Sequence, residues 1–192
     1  MPILLPEDIR EAFDGYAGVT DDRLLLYIGM AEGLAGKACR RDLPEAAHDD
    51  YFTILSAVGT IHLPHTPVVA VTHVYEDASG TLPTELASDD YVVEAEKGFL
   101  HRAPFGSSWY PGTRAVRVVW TAGYTRTTCP VELKAPLLAL TAWTLSRLGG
   151  LGISSESADG ASVTYEGPLV DGMPPAMRSA LQSFVRYGRT GA

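Results

Sequence analysis

Cysteine is almost absent from this chain. Cys39 and Cys129 are the only two among 192 residues and stand far apart, which excludes a disulfide framework and a cysteine-built zinc site. Basic residues are also scarce: 15 Lys and Arg face 23 Asp and Glu, for a net charge of −8. That balance excludes a protein that grips nucleic-acid phosphates over a broad surface, though not a wall past which nucleic acid slides. Long hydrophobic runs are missing, so no membrane span is expected. The opening MPILLPEDIR carries no basic stretch ahead of an apolar one, so no signal peptide is expected, and a reduced, cytoplasmic protein is the economical reading. Internal repeats and low-complexity tracts are lacking too. What remains is an ordinary globular composition, 46% hydrophobic and 20% charged, with length for one good core and a small subdomain.

The most informative stretch is 114–150. Val116, Val118 and Trp120 alternate with Arg117, Val119 and Thr121, the period of a strand with two different faces. Gly123 permits a turn, Thr128 and Pro130 suit a helix start, and Gly149-Gly150 suit its end. The predicted helix, 130–148, would run roughly 27 Å. It has no wide polar face, so one side should pack within the subunit and the other against a second layer or a neighbouring subunit. Leu137, Leu140 and Trp143 are the residues expected to pack between subunits. Pro136 predicts a kink, or a separate short turn over 131–135.

Upstream, 4–13 reads as a short helix with Pro6 in its first turn. Thr20 opens a second helix ending near Arg40, whose apolar stripe is Leu24, Leu25, Ile28, Ala31, Leu34 and Ala35. Between 51 and 121 the period becomes that of strands: 51–56, 60–63, 68–75, 91–94, 99–102 and the strand ending at Trp120, with Lys97-Gly98 as a hairpin turn. Downstream, 151–173 is rich in Gly, Ser and Asp, and only 162–165 reads as a strand, so an extended or mobile arm is expected. Pro174 and Pro175 then start a last helix with an apolar stripe of Met177, Ala180, Leu181, Phe184 and Val185. Arg178, Arg186 and Arg189 make this end basic.

Residues that could carry chemistry are poorly arranged for it. His62 and His65, with His48, Asp49 and Asp50, do not form a metal-ligand spacing, and they read as surface histidines. Asp89, Asp90, Glu94 and Glu96 resemble a glycosidase pair in composition alone. Ser154, Ser155 and Ser157 lack the strand–elbow–helix context of a nucleophile, and Gly149 to Gly152 follow a helix where a phosphate cradle would open one. Cys129 at a helix start invites a lowered pKa, but without a histidine close by in sequence it reads as a structural thiol. No catalytic, cofactor or metal residue is assigned. Two other classes stay open: a β-rich carbohydrate- or protein-binding module presenting Trp109 and Tyr110, and a hydrolase using Asp90 or Glu94.

Six segments, taken in order, carry a resemblance. They are DDRLLLYIGMAEGLAGKACRR (21–41), TPVVAVTHVY (66–75), DYVVEAEKGFL (90–100), VRVVWTAGYT (116–125), PVELKAPLLALTAW (130–143) and GISSESADGASVTY (152–165). Together they resemble the head–tail connector (adaptor) family of long-tailed bacteriophages and related prophages. The resemblance implies an α+β fold: a helical connector core of two N-terminal helices, one long central helix and a C-terminal helix, with an inserted antiparallel β-rich subdomain. The implied organisation is one connector domain over 1–192, with the β-rich insertion at 51–121, the arm at 151–173 and a docking helix and tail at 174–192. It also implies a non-enzymatic ring of about twelve copies in the virion neck, assembled in the host cytoplasm. Its partners would be the portal protein and the next neck or tail-completion protein, with DNA only as passing cargo and no membrane. A stopper or tail-completion protein is the close alternative. The expected partner interface is Arg178, Leu181, Phe184, Val185, Arg186 and Tyr187.

Overall fold

In the computed structural model, which describes residues 2–76, 84–147, 155–158, 161–164 and 172–185, the first helix is α1 (Pro6–Ala12). Pro6 occupies its first turn, where a missing N–H costs nothing, and the Asp8 carboxylate accepts the Leu5 amide at 2.8 Å. Helix α2 (Asp21–Cys39) follows Thr20, with Asp21 and Asp22 at its positive end. It stops at Arg40, which takes the left-handed conformation (φ 56°), while the Arg41 amide turns back to the Gly36 carbonyl at 3.1 Å. A Cβ on Gly36 would lie 3.0 Å from the Arg41 oxygen, so glycine suits that closure.

Helix α3 (Val131–Arg147) begins on the Pro130 carbonyl, which accepts the Leu133 and Lys134 amides at 3.0 and 2.9 Å. One helix runs through Pro136, so the separate turn expected over 131–135 does not form. The proline lies in the second turn, and the bond it cannot make is the single one to Glu132. Leu133, Leu137, Leu140, Thr141 and Thr144 are buried along one stripe, and both threonine hydroxyls donate to carbonyls of their own helix at 2.8 Å. Helix α4 (Pro175–Leu181), extended by a 3-10 turn at Gln182–Phe184, packs on α2 and α3. These helices belong to the first of two compact units, Met1–Pro44 with Thr125–Ala192. Two short strands in this unit, β8 (Ser155–Ala158) and β9 (Ala161–Thr164), pair antiparallel where an extended or mobile arm with a single strand over 162–165 was expected. Residues 151–154, 159–160 and 165–171, the rest of that arm, lie outside the described residues.

The second unit is Glu45–Tyr124. Its longest strand, β7 (Gly112–Ala122), lies between β1 (Ala46–Ile54) and β3 (Val68–Glu76), both antiparallel to it, and the two-residue β4 (Thr84–Glu85) continues the sheet beyond β3. A second antiparallel sheet has the order β2 (Thr60–His62), β6 (Phe99–Arg102), β5 (Tyr91–Glu94). The β5–β6 turn uses Gly98 at φ 66°, as expected of Lys97-Gly98. The alternation read in 116–121 is real: Val116, Val118 and Trp120 are fully buried, while Arg117, Val119 and Thr121 are half-exposed. Ile61 and Leu100 of the second sheet join Val74, Val116, Val118 and Trp120 of the first in one buried cluster. Truncating Trp120 there would cost about 3–5 kcal/mol.

These findings correct the expected fold description. Among the described residues the fold is α+β, with four helices, antiparallel sheets and about 31% strand, and is not a helical connector core of two N-terminal helices and one long central helix. The β-rich segment has its own tryptophan-centred core, so the strands are half of the architecture. Two of the helices, α1 and α4, have only seven residues each.

Candidate functional site

The expected partner surface centres on α4, and its residues separate by burial. Leu181 is 1% exposed and its carbonyl lies 3.9 Å from the Cys39 Sγ, so its side chain belongs to the unit's own core. Arg178 is exposed, and Phe184 and Val185 are half-buried. Arg186 and Tyr187 lie outside the described residues. Beside this helix is a pocket of about 270 Å³ whose lining includes Ala38, Arg40, Arg178, Ser179, Gln182 and Val185.

The residues expected between subunits separate in the same way. Leu137 and Leu140 are fully buried within their own unit. Trp143 is half-exposed, with the Arg147 guanidinium 5.3 Å from its ring centre. The remaining outward side of α3 carries Val131, 74% exposed, exposed Ala135, and half-buried Leu138, Ala142 and Leu145.

Beneath this surface two buried carboxylates fix the fold. Glu32 accepts the Ile3 and Leu4 amides at 2.6 and 3.2 Å, tying the start of the chain to α2. Asp8 accepts from Arg126 and Lys134 at 3.0 and 3.1 Å, tying α1 to the α3 region. Burial raises the pKa of Glu32 above its ordinary range, the two amides offsetting part of the shift. Burial also acts upward on Asp8, but the Leu5 amide, Arg126 and Lys134 outweigh it and the net shift is downward. Sequence alone shows neither role, because the partners lie as many as 126 positions away.

In the strand unit, the side chains considered for chemistry are engaged otherwise. His48 and His65 stack with ring centres 4.0 Å apart and planes 5° from parallel. His62 packs on Phe99, apart from that pair. Glu94 binds Lys97 at 2.8 Å and His101 at 3.0 Å, and these contacts lower its pKa, opposite to what a glycosidase acid requires. Asp90 pairs with Arg102 at 3.6 Å and accepts the Ala87 amide. His101 also meets the Thr60 hydroxyl at 2.8 Å, so Thr60, His101 and Glu94 form a chain across β2, β6 and β5. It links the three strands of this sheet through their side chains. Trp109 is fully buried, which removes the flat aromatic face imagined for it, although Tyr110 beside it is 60% exposed. In the helical unit, Cys129 is buried and its pKa is pushed up to about 11, so it is an inert thiol. Among the described residues no helix is long and apolar enough to cross a membrane.

A comparison with protein families returned no match, and neither did one with curated proteins. Solved structures do match. A chain in the neck of an empty gene transfer agent (GTA) particle, computed with C6 symmetry, superposes with a TM-score of 0.69 at 18% identity, covering 99% of this chain and 93% of that one. A chain in the neck of the native particle, computed with C12 symmetry, gives 0.64 at 19% identity over 98% and 92%. One from the virion of the native gene transfer agent particle gives 0.64 at 19% identity over 97% and 91%. At this identity the likeness is one of fold, and it extends over nearly the whole of both chains.

Proposed function

We propose that this chain is a structural, non-catalytic protein of the neck of a phage-like particle. It forms a ring of copies that joins the portal vertex of the head to the tail and leaves a passage for DNA. The observation that carries this reading is the fold likeness to chains in gene transfer agent necks, end to end on both sides. The rotational symmetry of those necks supports a ring. A chain of net charge −8 would line a DNA passage without trapping phosphates. In this reading the portal side is met by Arg178, Phe184 and Val185 at the end of α4, and Trp143 with the outward side of α3 meets a neighbouring copy. The test is removal of the gene from a particle-producing strain. The expected result is separate, DNA-filled or emptied heads and free tails, rejoined when the chain is supplied. Complete, infectious or transducing particles without it would refute the proposal.

A further inference from the structure

Resting on the ring reading, the outer surface of α2 acquires a role. A closed ring is heterologous: each copy must present two different patches, one for the neighbour on either side. The outward side of α3 is one. On α2 a second apolar surface stands uncovered: Leu26 is 62% exposed, Met30 44% and Leu25 40%, on the side opposite the buried Leu24, Ile28, Ala31 and Ala35. Gly29 and Gly33 lie one turn apart beside them, and a Cβ on either would meet nothing within 4 Å. The helix therefore has a low waist between large apolar side chains that the described residues of its unit leave uncovered.

The occupant follows from the ring, and charge favours its direction. At its start helix α2 carries Asp22, the Arg10-bound Asp21 and Arg23, and at its end Lys37 and Arg40. Helix α3 carries Glu132 and the Asp8-bound Lys134 at its start and Arg147 at its end. Antiparallel packing of one upon the other sets the basic end of α2 against Glu132; parallel packing sets it against Arg147. We infer that the outer face of α2, from Leu25 to Gly33, is the second half of the subunit contact and receives the outward face of α3 from a second copy of this chain, the two helices running antiparallel.

The test uses the full chain with Met30→Cys, Leu138→Cys and both together; the native thiols are buried and stay in place. After mild oxidation at assembling concentrations, the mixture of single variants should give linked dimers, and the double variant a ladder of higher species. Either single variant alone should link little. Homodimers of M30C forming as readily as the mixed pair would overturn the inference, since α2 would then meet α2. If sedimentation shows rings and no pair links, the α2 assignment fails and the ring reading stands. If the chain never associates, alone or with its neck neighbours, the ring reading fails and this inference with it. Gly33→Ala adds a readout of opposite signs. It should raise the melting temperature of the monomer by a few degrees and raise the concentration needed for assembly roughly tenfold. Assembly that strengthens along with the helix would count against a close approach there.

Discussion

Asp8 and Glu32 are both buried carboxylates, yet they should leave opposite marks on the pH dependence of stability. The folded pKa of Asp8 is depressed, so its contribution is present above the unfolded value, near 3.8, and is lost as pH falls through the folded one. Asp8→Asn should cost about 1–3 kcal/mol at neutral pH and flatten the acid limb of a denaturation series. Glu32 is raised, so its contribution is greatest below the ordinary value of 4.5 and declines as pH rises through the folded one. Glu32→Gln keeps an acceptor for Ile3 and Leu4 and should flatten the curve on that rising side. Urea titrations between pH 3 and about 8 distinguish the two. An unchanged acid limb in D8N would show that the Arg126 and Lys134 contacts do not bear on stability. In the sequence Asp8 reads as a solvated acid at a helix start, because nothing local reveals Arg126 or Lys134.

Among the elements, those with strong local signals were legible. The alternation around Val118, the Thr20 start of α2 and the Lys97-Gly98 turn all depend on neighbours in sequence. Gly98 sits at φ 66°, so Gly98→Val should lower stability by about 1–2 kcal/mol in thermal unfolding, and a neutral result would mean that the turn can rearrange. The beginning of β1 was not legible. Ala46-Ala-His-Asp-Asp50 has little strand propensity and becomes a strand because β7 supplies the pairing, Ala46 to Ala122 through Asp50 to Val118. The strand expected over 162–165 is β9, but its partner β8 was missed although Asp159-Gly160, the dipeptide two-residue hairpins favour, stands between them. Helix α3 was read as apolar all round, but sequence could not say which residues face the unit's own core. Leu140 does, and Leu140→Ala should cost about 2–5 kcal/mol in the isolated chain. Trp143 is half-exposed, so Trp143→Ala should cost the isolated chain clearly less while impairing assembly. Equal losses from the two substitutions would place Trp143 in the core and remove it from the proposed contact.

At the scale of the whole molecule, composition narrowed the function more than any motif did. The acidic balance and the scarcity of cysteine argued against broad phosphate binding and cysteine-built metal sites before any fold was known. The ordered set of weak packing segments suggested the virion neck, and the likeness to chains of gene transfer agent necks is one of fold over nearly all of the chain. The architecture was read less well, because a strand unit with its own two-tryptophan core cannot be told by periodicity from an insertion on a helical core. The likeness therefore bears on the fold, while the contacts the chain makes depend on exposed faces that sequence patterns do not distinguish from buried ones. The most direct measurement is an electron cryomicroscopy map of particles that contain this chain, taken at the junction of head and tail. The account predicts a closed ring in the neck, beneath the portal, into which copies of the chain fit with α2 of each against α3 of the next. Particles whose neck is complete without it, or density for the chain elsewhere in the virion, would contradict the account.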